Sequence, residues 1–322
     1  MTVDQIFETI EEHQLRLALE DELEGTIDGL WIDPIGGSDR EGDLDLTVVV
    51  PSYNPGEKLR STIQGLIGTL STTGLHYEII AVSDGSTDGS AASLVDLPSR
   101  IVRSVPLQVN QGKGNALRVG LGLGRGRLLA FIDADGDLPP GQMAQAVAMA
   151  QAEDPDIVLG SKRHPDSKVH TSRLRRLYSA VWQKLVSASF RLDVGDTQTG
   201  LKVMRRDVVL DALPLMVEKG FAFDLELLVI ARRLGYDRFM EMPVEIVERT
   251  VSTVSMRTAL TMLRQAAAIF VRRYLRGSYR GARTARDRFP VEESPTLLTR
   301  HLSIASPQFR MAEHEKTTHD AA

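Results

Sequence analysis

The chain has 322 residues, 42% of them hydrophobic, with 38 basic against 43 acidic side chains and a formal net charge of −5. That is enough apolar material for one large α/β domain or two smaller ones, and its charge balance argues against a general nucleic-acid binder. Cysteine is absent, which excludes disulfide staples, thiolate zinc sites and a cysteine nucleophile and fits a reducing cytoplasm.

In chain order, residues 1 to about 24 set Ile6, Phe7, Ile10, Leu17 and Leu23 among acidic residues at helical spacing, which predicts a peripheral helix. Its opening, MTVDQIFETIEEHQ, lacks the basic region and apolar core of a secretory signal, and no apolar run in the chain reaches membrane-spanning length. A Gly- and Asp-rich linker, DPIGGSDREGD, closes this segment at residue 43, and a core domain is expected over 44–250. Strands are predicted at Leu44 to Val50, Tyr77 to Ser83, Ile101 to Val105, Leu128 to Ile132 and Asp156 to Gly160. Helices alternate with them at about Glu57 to Thr72, Gly114 to Leu123, Gly141 to Ala152 and Ser172 to Phe190. Such alternation implies βαβ units and a mostly parallel sheet with helices on both faces. Beyond it come a mixed stretch, DTQTGLKVMRRD (196–207), a helix through FDLELLVIARRLG and a strand in RFMEMPVEIVE. Residues 290–322 lack periodicity and read as a disordered tail.

Four loops follow strand ends, where open α/β sheets place their ligands. The first is PSYNPGE (51–57), and the second, SDGSTDGS (83–90), puts Asp84 at a strand end before a run that leaves backbone N–H groups free. The third, NQGKGNA (110–116), is a Gly-rich turn into a helix; such turns favour phosphate, and Lys113 adds a point charge. It is not a Walker A loop, because Leu107 stands where the first glycine belongs. The Gly120, Gly122, Gly124, Gly126 series reads as a helix end and turn rather than a ligand cradle. In the fourth loop, LLAFIDADGDLPP, an apolar strand runs into Asp133, Asp135 and Asp137. If the segment stays extended, alternate residues point the same way and all three carboxylates converge before Pro139-Pro140 stops the strand. Oxygen ligands alone select Mg²⁺ or Mn²⁺ over Zn²⁺. An Asp-rich surface turn is the competing reading.

These four loops in this order resemble the family-2 glycosyltransferases of GT-A fold over roughly Leu44 to Gly277. The resemblance implies the Rossmann-like, mostly parallel sheet of nucleotide-diphospho-sugar transferases. Within the family, DTQTGLKVMRRD and FAFDLELL look like the polyprenyl-phosphate sugar transferases, of the dolichyl-phosphate β-glucosyltransferase and dolichol-phosphate mannose synthase type. It further implies a nucleotide-sugar donor, UDP-glucose or GDP-mannose, and an inverting single displacement with no covalent enzyme intermediate. Carried over by position, it puts Pro51, Tyr53, Glu57 and Asp84 around the nucleotide base with Lys113 close by, and Asp133 at the ribose. Asp135 of the DxD motif would hold the metal, with Asp137 as an added ligand. Arg163 would meet donor phosphate or acceptor, and Gln198 would lie near the transferred sugar. The sequence departs from the family pattern in the two-residue insertion between Asn54 and Glu57, in Ser83 where many relatives carry Asp, and in Asp137 where mannose synthases carry Gln.

A metal with Lys or Arg best stabilises the nucleoside diphosphate that leaves when the sugar is transferred. Asp224 is the candidate general base, against the alternative of a helix cap. A phosphate monoester, with a second pKa of about 6, is already a nucleophile at neutral pH, so the base can be dispensed with.

From Arg249 to Arg288 ten arginines face one acid, Asp287. Met256, Ala259, Leu260, Leu263, Ala267, Phe270, Val271 and Tyr274 recur at helical spacing, with Arg257, Arg264 and Arg272 on another face. A basic amphipathic arm over 251–289 reads as an element for an anionic membrane surface; the alternative is a helix packed on its own domain. The combined expectation is a cytoplasmic hexosyltransferase, peripheral to the inner face of the membrane, with a polyprenyl phosphate acceptor and no nucleic-acid partner. A glycosyltransferase for a soluble or glycan hydroxyl, and a non-catalytic nucleotide-sugar-binding protein, are the alternatives.

Overall fold

A computed structural model describes residues 44–169, 173–247, 256–277 and 279. The expected N-terminal helix and linker, and the expected tail, lie outside the described residues. Among the described residues seven strands form one sheet in the order β3-β2-β1-β4-β6-β5-β7. β1 (Leu46–Ser52) runs parallel to β2 (Tyr77–Asp84) on one side and β4 (Leu128–Ile132) on the other, and β2 runs parallel to β3 (Val102–Leu107). β5 (Ile157–Ser161) is parallel to β7 (Phe239–Pro243). The first five strands fall within a residue or two of their expected bounds.

Alternation along these strands builds two apolar layers. Leu46, Val48, Val50, Ile79, Ala81, Ala130 and Ile132 face α1 (Glu57–Leu70) and α3 (Gly141–Glu153). On the other face Val49, Ile80, Val82, Leu129 and Phe131 pack on α2 (Lys113–Gly122), α4 (Arg173–Phe190), α5 (Arg206–Ala212) and α6 (Phe223–Arg233). Both faces being covered explains why β1 reads as a continuous apolar run. The glycine series belongs to this packing: Gly122 ends α2, and a Cβ at Gly120 would come within 2.3 Å of Val49 on β1.

The chain leaves β1 towards β2 and β3, then returns to β4 on the opposite side. That reversal opens a crevice at the carboxyl ends of β1 and β4, where α/β sheets bind ligands. The mixed stretch contains β6 (Leu201–Arg205), antiparallel to both β4 and β5. Its reversed direction pairs Leu201 with Ile132, so the DTQTG loop before β6 arrives at the edge where β4 ends.

One expectation is corrected here. β4 stops at Ile132, before the first aspartate, and Ala134 and Asp135 form a turn, with Gly136 at φ +74°; Pro139-Pro140 precede α3 and terminate no strand. The arm packs one stripe on its own domain, as the alternative reading has it. Its helix α7 (Met256–Phe270), continued as a π turn over Val271–Arg276, buries Ala266 and Ile269 in the same core as α6.

Candidate active site

The first two loops are stitched together. Asn54, at φ +47°, donates its backbone N–H to Ser86 Oγ at 3.0 Å and accepts from the Thr87 N–H at 2.8 Å, while the Gly56 N–H donates to Asp88 at 2.8 Å. Pro51 is buried in β1, Tyr53 stands exposed beyond it, and Glu57 opens α1 on the surface. The two-residue insertion thus becomes a left-handed turn bonded to the second loop.

Asp84 is buried, and its two oxygens accept the N–H groups of Gln111 at 2.9 Å and Gly112 at 2.8 Å. Its carboxylate therefore shapes the third loop from within. Gly112 has φ +104°, and a Cβ there would lie 2.5 Å from the Lys219 carbonyl oxygen, so only glycine fits this turn. Asp84→Ala leaves two part-buried N–H groups without their acceptor and is expected to cost about 1–3 kcal/mol. Denaturant unfolding checks this, with Asp84→Asn expected to lose less because one acceptor remains.

The Gly112 turn delivers Lys113 to Asp133, Nζ to Oδ1 at 2.6 Å, with about a quarter of each side chain exposed. Burial works against the Lys113 ammonium, but the negative charges of Asp133, Asp224 and Asp135 outweigh it, so its pKa is raised. Lys113 is thus a fixed cation at this edge. The Asp133 N–H donates to the Gly200 carbonyl at 3.0 Å, and its carboxylate lies so close to Gly200 that a Cβ there would overlap it at 1.9 Å. The glycine of DTQTG is what makes room for Asp133.

The expected meeting of all three aspartates does not occur. Among the described residues no group of three or more His, Cys, Asp or Glu side chains is arranged to hold a metal ion. Asp133 is taken by Lys113, and the turn at 134–135 leaves Asp135 near enough for its charge to act on both of them without joining Asp133 in one ligand set. Asp135 and Asp137 form a pair of their own: Asp135 Oδ1 accepts the Asp137 N–H at 3.0 Å, and Asp137 Oδ1 is buried with no hydrogen-bond partner. An exposed carboxylate beside an unsatisfied carboxylate oxygen fits Mg²⁺ or Mn²⁺, which take one or two carboxylates plus phosphate oxygens.

Within DTQTG, Asp196 accepts the Gln198 N–H at 2.8 Å and the Thr199 hydroxyl at 2.6 Å, fixing the half-buried Gln198 in a turn. Arg163 is exposed on the turn after β5, beside Gly195. Asp224 lies in the first turn of α6, buried, with Oδ1 held by Lys202 Nζ at 2.6 Å. Lys202, fully buried on β6, also donates to the carbonyls of Thr197 at 3.2 Å and Thr199 at 3.0 Å, and sits 5.2 Å from the Phe131 ring centroid. Sequence reasoning missed Lys202. Its only signal was a lysine interrupting an apolar run, which points to a buried cation only once its acidic partner is known.

A seven-strand, mostly parallel sheet with acidic and basic side chains gathered at its switch point is the GT-A arrangement of nucleotide-diphospho-sugar transferases. The Glycosyl transferase family 2 profile matches residues 47–212, just over half the chain, and the protein belongs to that family. A dolichyl-phosphate beta-glucosyltransferase of Drosophila melanogaster is 31% identical over 207 residues, 59% of this chain and 64% of the relative. The match thus spans just under two thirds of that relative's own length. Its counterpart in Saccharomyces cerevisiae is 28% identical over 261 residues, 74% of this chain and 77% of the relative. Among solved structures, glucosyl-3-phosphoglycerate synthase from Mycobacterium tuberculosis, in complex with Mn²⁺, UDP and phosphoglyceric acid, superposes with a TM-score of 0.55 at 24% identity. That likeness covers 71% of this chain and 78% of that one. Mannosyl-3-phosphoglycerate synthase from Rubrobacter xylanophilus gives a TM-score of 0.56 at 20% identity, over 78% and 82% of the two chains. The two likenesses establish the shared fold.

Proposed function

We propose that the protein is a metal-dependent, inverting hexosyltransferase that moves a hexose from a nucleotide sugar to a polyprenyl phosphate at a membrane surface. The observation that carries this reading is the gathering of Lys113, Asp133 and the Asp135 and Asp137 pair at the β1/β4 crevice. A Mg²⁺ or Mn²⁺ held by Asp135 and Asp137 would offset the charge of the departing nucleoside diphosphate. Lys113 adds a cation for the same phosphates, and the stitched first and second loops, with Pro51 and Tyr53, offer a wall for the base. An acceptor phosphate oxygen attacks the anomeric carbon, the bond from that carbon to the diphosphate oxygen breaks, and the diphosphate leaves with the electron pair. Gln198 and Arg163 flank the place where sugar and acceptor meet. The acceptor dianion needs no proton removed, which suits an Asp224 already occupied by Lys202.

The names of the relatives support glucose and a polyprenyl phosphate as the first substrates to test, and α7 supports a lipid surface. Among the described residues no helix is long and apolar enough to cross a membrane. The packed stripe of α7 runs through Ala266 and Ile269, while part of the stripe expected to be its apolar face, Leu263, Ala267, Phe270 and Tyr274, remains exposed. Leu275 is 74% exposed beside it, and Val181 and Leu185 are exposed on α4, where Phe190 meets Phe270 edge to face at 6.3 Å. Arg272, expected on the basic face, instead turns inward to Glu226 at 3.0 Å, and its neighbour Arg273 donates to the Val229 carbonyl at 3.3 Å. The lipid-facing set is therefore Leu263, Tyr274, Leu275 and the exposed Arg276.

Incubation with radiolabelled UDP-glucose or GDP-mannose, a polyprenyl phosphate and Mn²⁺ should move label into the organic phase. Label remaining on a water-soluble product would favour the soluble-acceptor alternative. Sedimentation with vesicles should rise with anionic lipid and drop roughly tenfold when Leu263 and Leu275 are both changed to Asp.

A further inference from the structure

We propose that Glu226, with Arg272 of α7 as its counter-ion, is a positioning residue for the turn at Gly112 to Gly114 that carries Lys113. The inference rests on the donor reading above and names a second route by which that turn is held. Glu226 is fully buried in the first turn of α6. Its Oε2 accepts the backbone N–H groups of Val217 at 2.8 Å and Glu218 at 2.7 Å. Its Oε1 accepts the Tyr279 hydroxyl at 2.7 Å and Arg272 Nη2 at 3.0 Å, and Arg272 also pairs with Glu218. One buried carboxylate thus ties the arm to the 217–220 loop, and Arg272 lies beside it as the counter-charge.

That loop is the back wall of the donor turn. The Lys219 carbonyl accepts the Asn115 N–H at 3.1 Å, and Lys219 Nζ donates to Gln111 at 2.8 Å. Gly112 and Gly114 approach so closely that a Cβ on either would come within 2.5 or 2.8 Å of the Lys219 backbone. Gly220 in turn lies against Gln265 of α7, where a Cβ would meet the amide nitrogen at 2.7 Å. Packing this tight transmits displacement, so a shift of 217–220 moves the turn and Lys113 with it. Asp84 holds the same turn from the sheet side and Glu226 from the helix side. A residue acting this way alters how tightly the diphosphate is held while leaving the acceptor contacts alone.

The test uses the full chain, with UDP and Mn²⁺ as the probe by calorimetry and hydrogen exchange followed over 111–116 and 216–220. Glu226→Gln combined with Arg272→Met removes the ion pair and leaves only the partly buried Glu218 without its cation, and Tyr279→Phe deletes two hydrogen bonds, the one to Glu226 and the one from Arg272, and keeps the pair. UDP affinity is expected to fall at least tenfold in the double variant and a few-fold in Tyr279→Phe, with Arg272→Lys in between. Exchange is expected to quicken in both segments. A folded double variant that binds UDP like the wild type overturns the proposal. So does exchange that quickens over 216–220 while 111–116 stays unchanged, a comparison Tyr279→Phe decides even if the double variant fails to fold. If the wild type binds no UDP, GDP replaces it as the probe; if it binds neither, the donor reading fails, and the exchange comparison still decides the coupling.

Discussion

Asp135→Asn is expected to reduce transfer by on the order of a hundredfold or more while leaving the fold untouched. Asp135 is exposed, and the bond it accepts from the Asp137 N–H survives as a bond to the amide oxygen, so the change should lie within about 0.5 kcal/mol. Without metal the variant should even melt slightly later, because the two neighbouring carboxylates no longer repel. Mn²⁺ should raise the melting temperature of the wild type and leave the variant unmoved, since ligand binding to the native state is what produces such a shift. Chelation should silence the wild type and Mn²⁺ restore it. Asp137→Asn is expected to behave alike, since its buried, unpaired Oδ1 has no structural partner to lose. Undiminished transfer and an undiminished Mn²⁺ shift in Asp135→Asn would remove the pair from the metal role.

The parts of this site that could be read in the sequence are those that depend on neighbours along the chain. Asp84 and Asp133 follow apolar runs, and Lys113 follows a Gly-rich turn, so their places at strand ends and at a helix start follow from local rules. The convergence of three carboxylates assumed an extended chain, and Gly136 in the left-handed region shows where that assumption breaks. The arm's helical period was visible too. A helix with apolar residues on two stripes does not announce which stripe meets its own domain, and the partner that draws Arg272 inward, Glu226, lies 46 residues away. β6 was hidden for a related reason: Leu201–Arg205, with Lys202 following its first residue, is neither uniformly apolar nor alternating, and only the antiparallel insertion between β4 and β5 explains it.

Lys202→Met is expected to destabilise the protein by about 3–5 kcal/mol, since it leaves Asp224 buried without its counter-charge. It also takes the donor from the Thr197 and Thr199 carbonyls, so the loop that presents Gln198 and seats Asp133 loosens with it. Pairing the change with Asp224→Leu should recover most of the stability, because two apolar side chains replace a buried ion pair at little net cost. Transfer should not recover with it, as the two carbonyls still lack their donor. Asp224→Asn separates the strut from the base. An amide oxygen can still accept from Lys202, so a strut keeps transfer within about tenfold at some cost in stability, whereas losing a general base costs on the order of 10²–10⁴. Unfolding curves and initial rates on the same preparations make the distinction. A well-folded Asp224→Asn whose rate falls a thousandfold would return Asp224 to the chemistry. The fully buried Lys202, lying 2.6 Å away, argues for the other outcome: the carboxylate is spent on holding DTQTG against the crevice, and the acceptor phosphate supplies its own charge.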